Sequence, residues 1–411
     1  MVQAFVLVVI IGIALIEAGL LYLNYQNKDK PLPKNVSDIF DETRYQKYLN
    51  YSAERYRLSF IRRGLNLLLM VSFLVFGLFA AFEQLSTSWF AHPIAQTLVF
   101  LAMFQLILFV IGIPFSYYST FSIEERYGFN KTTKKTFVLD KLKSLGLMIV
   151  FGGGVVALLQ AVYMAFENNL IMFAVISWAI IIIILTLISY LYTAIFVKIF
   201  NKIEPLEDGE LKTRIESLAQ EIGFKVKAIS KMDASKRSTR LNAFFSGFGK
   251  QKEIVLFDTL IEKMSNDEIL AVLAHEFAHG KHKDVIRMFA EQAIVLGIYA
   301  GLITLVFQTT SLYTAFGLSG SFFGFGLILF FLLIKPIDFI VGIPTAYLSR
   351  KAEYKADQFS AKILGNQPMI MALRVLAKED LADLNPHPLF VKAYYSHPPM
   401  SLRIGALESL K

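Results

Sequence analysis

Of the 411 residues, 55% are hydrophobic and 14% aromatic, only 18% are charged, and there is no cysteine. This balance fits a polytopic membrane protein and excludes an ordinary soluble domain, while the absent thiols exclude disulfides and thiolate ligands, so any metal must be held by His and carboxylate. A net charge of +8 would suit nucleic acid, but its distribution along the chain argues against that partner.

Seven apolar runs reach the ~20 residues that a helix needs to cross a bilayer. They lie at 2–24, 64–82, 94–118, 144–166, 170–197, 287–307 and 320–347. The first lacks the basic leader and small-residue cleavage site of a signal peptide, so it is expected to remain as a span. Lys and Arg fall into alternate connections: nine in 25–63 and six in 119–143, but none in 83–93, 167–169 or 308–319. The positive-inside rule then sets the amino terminus outside and the 198–286 and 348–411 segments in the cytoplasm. The basic charge is thus a topology signal, with the lipid bilayer and not nucleic acid as its partner. The expected organisation is five spans with basic cytoplasmic loops over 1–197, a cytoplasmic domain over 198–286, two spans over 287–347, and a cytoplasmic carboxyl-terminal part over 348–411.

Polar residues inside the spans need an account. Glu17 and Gln105 lie in the first and third, and Lys335 and Asp338 are spaced i, i+3 in the seventh, close enough to pair. Such groups face either satisfied packing contacts or a wet cavity. Gly152-Gly153-Gly154 fits either tight helix packing or a bend.

In 198–286, Leu211–Ile222 carries Ile215, Leu218, Ala219 and Ile222 on one helical face. Strands are expected at Phe224–Ser230, Asn242–Phe245 and Glu253–Phe257, with a turn at Gly247–Gly249. Ser265 and Glu268 form a capping box that opens a further helix. On that helix lies His275-Glu276-Phe277-Ala278-His279, an H-E-x-x-H signature. Positions i and i+4 share a face, so His275 and His279 can grip one Zn²⁺ while Glu276 reaches a water beside it. Lys263, Asp267, Glu268, Lys281 and Lys283 surround the motif, which places it at the aqueous boundary and not inside a span.

Two imidazoles leave a tetrahedral zinc site one protein ligand short. His282, Asp284, Glu353, Asp357, His387 and His397 are the candidates. Gly280 is expected to end the helix before His282, which then reads as a solvated loop residue. Glu353 and Asp357 share a helical face just after the seventh span: one can bind metal while the other orients a ligating imidazole. Spacing does not say which does what, and a solvated helix bridged by Arg350, Lys351 and Lys355 is an equal reading.

Several separate stretches together resemble the type I CAAX prenyl proteases, seven-span zinc metalloproteases. They are Ile123–Thr132, Leu241-Asn242-Ala243-Phe244-Phe245, Ile254–Leu260, the H-E-x-x-H, Ser349–Asp357 and Ser396-His397-Pro398-Pro399. The resemblance covers nearly the whole chain. It implies a mainly α fold of seven transmembrane helices with a small cytoplasmic α+β zincin-like domain. It also implies His275, His279 and Glu353 as zinc ligands, Glu276 as general base and Asp357 behind the ligands. Asn242 and Ala243 match an edge that pairs with extended substrate, and His397 and Arg403 match downstream positions that resemble transition-state stabilisers. The family often has His just before the Asn-Ala pair, where this chain has Arg240. The expected substrate is a peptide or protein, prenylated at its end in the family's case; a broad quality-control protease is the enzymatic alternative, and a non-catalytic transporter or scaffold the alternative of another class. Seven helices around a water-filled chamber are a further implication. A compact chain without cysteines favours a bacterial inner membrane, or the endoplasmic reticulum in a eukaryote.

Overall fold

The computed structural model describes residues 1–246 and 253–410; the turn expected at Gly247–Gly249 falls outside the described residues. Among them, six helices are long and apolar enough to cross a membrane: Val2–Asn27, Glu42–Val75, Pro93–Glu124, Lys134–Ala165, Leu170–Leu191 and Asp284–Gln308. A seventh span is a bent pair, Phe323–Leu333 and Lys335–Leu364, which meet at 49°. Pro336 sits in the first turn of the second member, where its missing N–H is tolerated and its ring breaks the ladder of the preceding helix.

Several boundaries differ from the sequence expectation. The second span starts at Glu42, capped by Asp41, and stops at Val75, where 64–82 was expected. Gly77 adopts φ 69°, which a side chain would strain, and a separate helix Leu78–Trp89 follows. The fifth span ends at Leu191 and continues as a wide π-type turn over Tyr192–Val197. Lys335 and Asp338 do not pair, because Asp338 accepts the Tyr299 hydroxyl instead. Glu17 is matched by Arg63 at 3.0 Å, so that charge is compensated across the first two spans.

The ends of the spans joined by short connections share one aromatic cluster. Phe79, Phe100, Phe173, Tyr313 and Phe325 are essentially buried there. The other three connections and the carboxyl-terminal part meet on one side and build a second unit. Tyr48 and Tyr51 from the first, Ile123 and Tyr127 from the next, and Ala271, Ala361, Leu373 and Ile404 from later segments form one core. Four chain segments separated by spans can share a core only if the spans return them to the same side.

Inside this unit lies a four-stranded sheet: β1 (Ile203–Pro205), β2 (Ala228–Met232), β3 (Ala243–Ser246) and β4 (Glu253–Phe257), in the order β1-β2-β4-β3. β2 and β4 are parallel and the outer pairs antiparallel. β2 begins later than expected because Phe224 N–H bonds back to Ala219 C=O, closing the Glu210–Ile222 helix around Gly223 (φ 72°). Central β4 reads Ile254-Val255-Leu256 and exposes none of the three. Ile254 and Leu256 face the helices Glu210–Ile222 and Asn266–Lys281, while Val255 faces Met232 and Ala234 on the other side.

Candidate active site

The helix Asn266–Lys281 brings the first components. Ser265 accepts the Glu268 N–H and Glu268 accepts the Ser265 N–H at 2.7 Å, so both halves of the expected capping box form. The helix runs past Gly280 to Lys281, one residue further than the glycine suggested. Its apolar face packs on the sheet and its other side packs on Lys335–Leu364, pinned where buried Ser360 donates to Ala271 C=O at 2.7 Å.

That packing sets Glu353 against the two histidines. His275 Nε2 and His279 Nε2 lie 3.2 Å apart, and Glu353 oxygens lie 3.4 Å from the first and 3.3 Å from the second. Zinc–nitrogen bonds of about 2.0–2.1 Å at tetrahedral angles require ligand atoms about 3.3 Å apart. The two imidazole nitrogens meet that requirement with each other, and Glu353 brings a different oxygen to each within the same range, Oε2 to His275 and Oε1 to His279. One ligand atom from each of the three residues lies within 4.8 Å of the others, and Oε2 is buried without a hydrogen-bond partner. The residues therefore fit a metal held by three protein ligands with a fourth position open.

The far side of each ring fixes its orientation. His275 Nδ1 faces Asp357 Oδ1 at 2.8 Å and His279 Nδ1 faces Asp284 Oδ2 at 2.9 Å. A carboxylate at Nδ1 assigns the proton to that nitrogen and leaves the Nε2 lone pair for metal. Arg403, 6% exposed, ties this layer together. Its Nε and one terminal nitrogen grip Asp357 at 2.8 and 2.5 Å, and the other reaches Glu353 at 3.4 Å. Burial pulls the His279 pKa down, but the Glu353 and Asp284 carboxylates outweigh it and push it up to about 9. Burial raises the Glu276 carboxyl, with the two imidazoles opposing.

The remaining candidates separate cleanly. His397 Nε2 lies 3.2 Å from Glu353 Oε1, on a side chain 64% exposed, at the open edge of the triangle. Arg350 holds the loop before it by donating to the carbonyls of Val391 and Tyr395. His282 caps the metal helix and His387 caps Pro388–Tyr394, and neither joins the ligand triangle. Asp284 was weighed as a ligand and stands instead behind His279. Lys283, at φ 56°, turns the chain so that Asp284 swings back, and a left-handed lysine has no sequence signal.

Ala243 opens β3, an edge strand that among the described residues pairs with β4 alone. The Ala243 N–H is taken by the Asn242 side chain and not by a strand. Arg240 is turned away from this edge: it donates to Asp380 C=O and the Tyr51 hydroxyl, both at 2.6 Å, and stacks on Phe129.

A multi-span chain with a two-histidine, one-glutamate metal triangle is a membrane-embedded metallopeptidase, and the comparisons agree. Residues 21–202 match the CAAX prenyl protease N-terminal family of five membrane helices, and residues 205–411 match peptidase family M48. CAAX prenyl protease 1 of Saccharomyces cerevisiae is 32% identical, covering 95% of this chain and 92% of its own. The Arabidopsis thaliana homologue is 33% identical over 92% of this chain and 90% of its own. The crystal structure of S. mikatae Ste24p matches with a TM-score of 0.94 at 30% identity, covering 99% of both chains. The chain belongs to the M48 peptidases of the CAAX prenyl protease type, and is an integral multi-pass membrane metalloendopeptidase. The transporter or scaffold alternative is set aside.

Proposed function

We propose that this chain uses zinc held by His275, His279 and Glu353 to cleave the carboxyl-terminal end of prenylated proteins at the cytoplasmic face of its membrane. The observation that carries the metal assignment is the pair of Nε2 atoms 3.2 Å apart with the two Glu353 oxygens at 3.3 and 3.4 Å, one facing each imidazole. Zinc suits two imidazoles and a carboxylate with one open position, and when bound it would acidify the attacking water and polarise the scissile carbonyl.

This chain's own groups do the rest. Glu276, its carboxyl raised by burial, takes the proton of the attacking water and delivers it to the leaving amine. His397 stands at the open edge, where an N–H offsets negative charge growing on the carbonyl oxygen. Asp357 and Asp284 hold the ligand rings, and Arg403 holds Asp357. The outward side of β3 at Asn242 and Ala243 receives extended substrate as an added strand, which sets the scissile bond in register.

The prenylated substrate class is supported by the names of the S. cerevisiae and A. thaliana relatives, CAAX prenyl protease 1 and its homologue. The cytoplasmic side is supported by the Lys and Arg in alternate connections. The bacterial inner membrane remains the compartment favoured by the cysteine-free sequence. The spans would enclose a wet chamber for the lipid-bearing end; cysteine labelling at position 338 tests it, and complete inaccessibility refutes a chamber at that depth.

The test is cleavage of a farnesylated C-a-a-X peptide and its unprenylated twin by the purified protein, with Glu276→Gln as control. Cleavage of the farnesylated form alone supports the proposal. Equal cleavage of both replaces it with a broad quality-control role, and cleavage by Glu276→Gln removes Glu276 as base.

A further inference from the structure

Away from the catalytic triangle, a cavity of about 540 Å³ opens where the second, third and fourth spans reach the catalytic unit. Arg55 and Arg62 enter it from one face of the second span, two turns apart, and Lys141 enters from the fourth. Ser59, Ser116 and Thr120 add hydroxyl donors, and no carboxylate lines it. The local contrast is informative. Arg63, Arg126 and Arg237 nearby are each paired, with Glu17, Glu54 and Asp140. Among the described residues, Arg55, Arg62 and Lys141 have no carboxylate partner. Arg55 and Lys141 rest on the ring faces of Tyr51 and Phe137, at 5.3 and 5.2 Å.

Three unpaired cations converging with hydroxyls call for a multivalent anion, and phosphate oxygens accept from such groups. The apolar part of the wall identifies its carrier. Leu108, Phe109 and Ile113 continue the cavity deeper along the third span, from the charged mouth toward the bilayer centre. A free phosphate would leave that wall empty, whereas a phospholipid fills both parts at once. We infer that this cavity binds an anionic phospholipid, with its phosphate between Arg55, Arg62 and Lys141 and an acyl chain along the apolar wall. The lipid cements three spans at the point where they carry the catalytic unit. Tyr51, one turn before Arg55, is 1% exposed and donates to Glu124 at 2.6 Å, so the headgroup sits one helical turn from the unit's core.

The experiment titrates the full-length, detergent-purified protein with phosphatidylglycerol and with phosphatidylcholine of the same acyl chains, counting bound lipid by native mass spectrometry. Each cation near a phosphate is worth about fivefold in affinity. Arg55→Gln with Arg62→Gln should therefore weaken phosphatidylglycerol about 25-fold, and Lys141→Gln alone about fivefold. Arg57→Gln, on the same helix but outside the cavity, should change nothing. Retained peptide cleavage by each variant reports that it is folded, and the two variants sit on different spans, so one misfolded protein does not remove the test. Equal binding of the two lipids, or unchanged binding by both cavity variants, overturns the inference. Displacement of phosphatidylglycerol by excess inorganic phosphate overturns the lipid as occupant, and displacement by farnesylated peptide makes the cavity a substrate groove instead.

Discussion

The membrane spans and the metal helix are both apolar helices, yet they are used in opposite ways. In the six unbroken spans only 6–22% of the most apolar stretch is buried within the protein. In Asn266–Lys281 nine of sixteen residues are buried, His275 among them. The spans are walls whose outer surface is left for lipid, joined through the aromatic cluster at one end. The metal helix is a core element surrounded by sheet, helices and buried charge. Geometry that must hold to a few tenths of an ångström has been placed where packing and hydrogen bonds over-determine it.

The sharpest way to test that division is to remove chemistry without disturbing packing. Glu276→Gln should lower turnover by about 10²–10⁴-fold, the usual worth of a general base, with metal content unchanged by elemental analysis. Loss of metal together with rate would instead make Glu276 part of the metal cradle. Next in size, Asp284→Asn should weaken metal about 10–100-fold in chelator competition, as removal of a ring-orienting partner does. If affinity is unchanged, the His279 ring is held by its helix alone.

Protonation gives a third handle. With its pKa at about 9 in the metal-free protein, His279 carries a proton at neutral pH that metal must displace. Apparent metal affinity should rise by about tenfold per pH unit per displaced proton up to near pH 9, then flatten. A profile already flat from pH 7 would refute the raised pKa. The smallest effect is expected on the other side of the comparison. A methyl at Gly326 would meet the Tyr313 hydroxyl at 2.5 Å and the Phe307 ring. Gly326→Ala should cost about 1–3 kcal/mol of stability through overpacking, read as a lower Tm, while metal affinity stays as in wild type. A loss of metal binding in that variant would show the two regions to be coupled.

How much of this was legible in the sequence follows the same divide. The spans and the capping box are local signals, carried by composition and by Ser265 and Glu268, and they need no tertiary knowledge. The H-E-x-x-H is local too. β1 escaped notice because Ile203-Glu204-Pro205 is too short for alternation and contains a proline, admissible only at the sheet edge it occupies. The division of labour proposed for Glu353 and Asp357 was not legible from spacing, since both lie on one helical face. The contacts differ by depth against another helix: one turn meets the Nε2 atoms, the next meets Nδ1. Asp284 was hidden behind a single left-handed residue, and the Lys335–Asp338 pair failed because a tyrosine from a different span competes for the carboxylate.

Arg403 binds Asp357 and lies 128 positions after His275 in the chain. At a synthesis rate of 5–20 residues per second, a ribosome needs roughly 6–25 s to cover that distance. In that interval two more helices must enter the bilayer. A half-made copy can hold His279 through Asp284 but leaves His275 without Asp357 and Arg403, so the blade is finished only after its sheath.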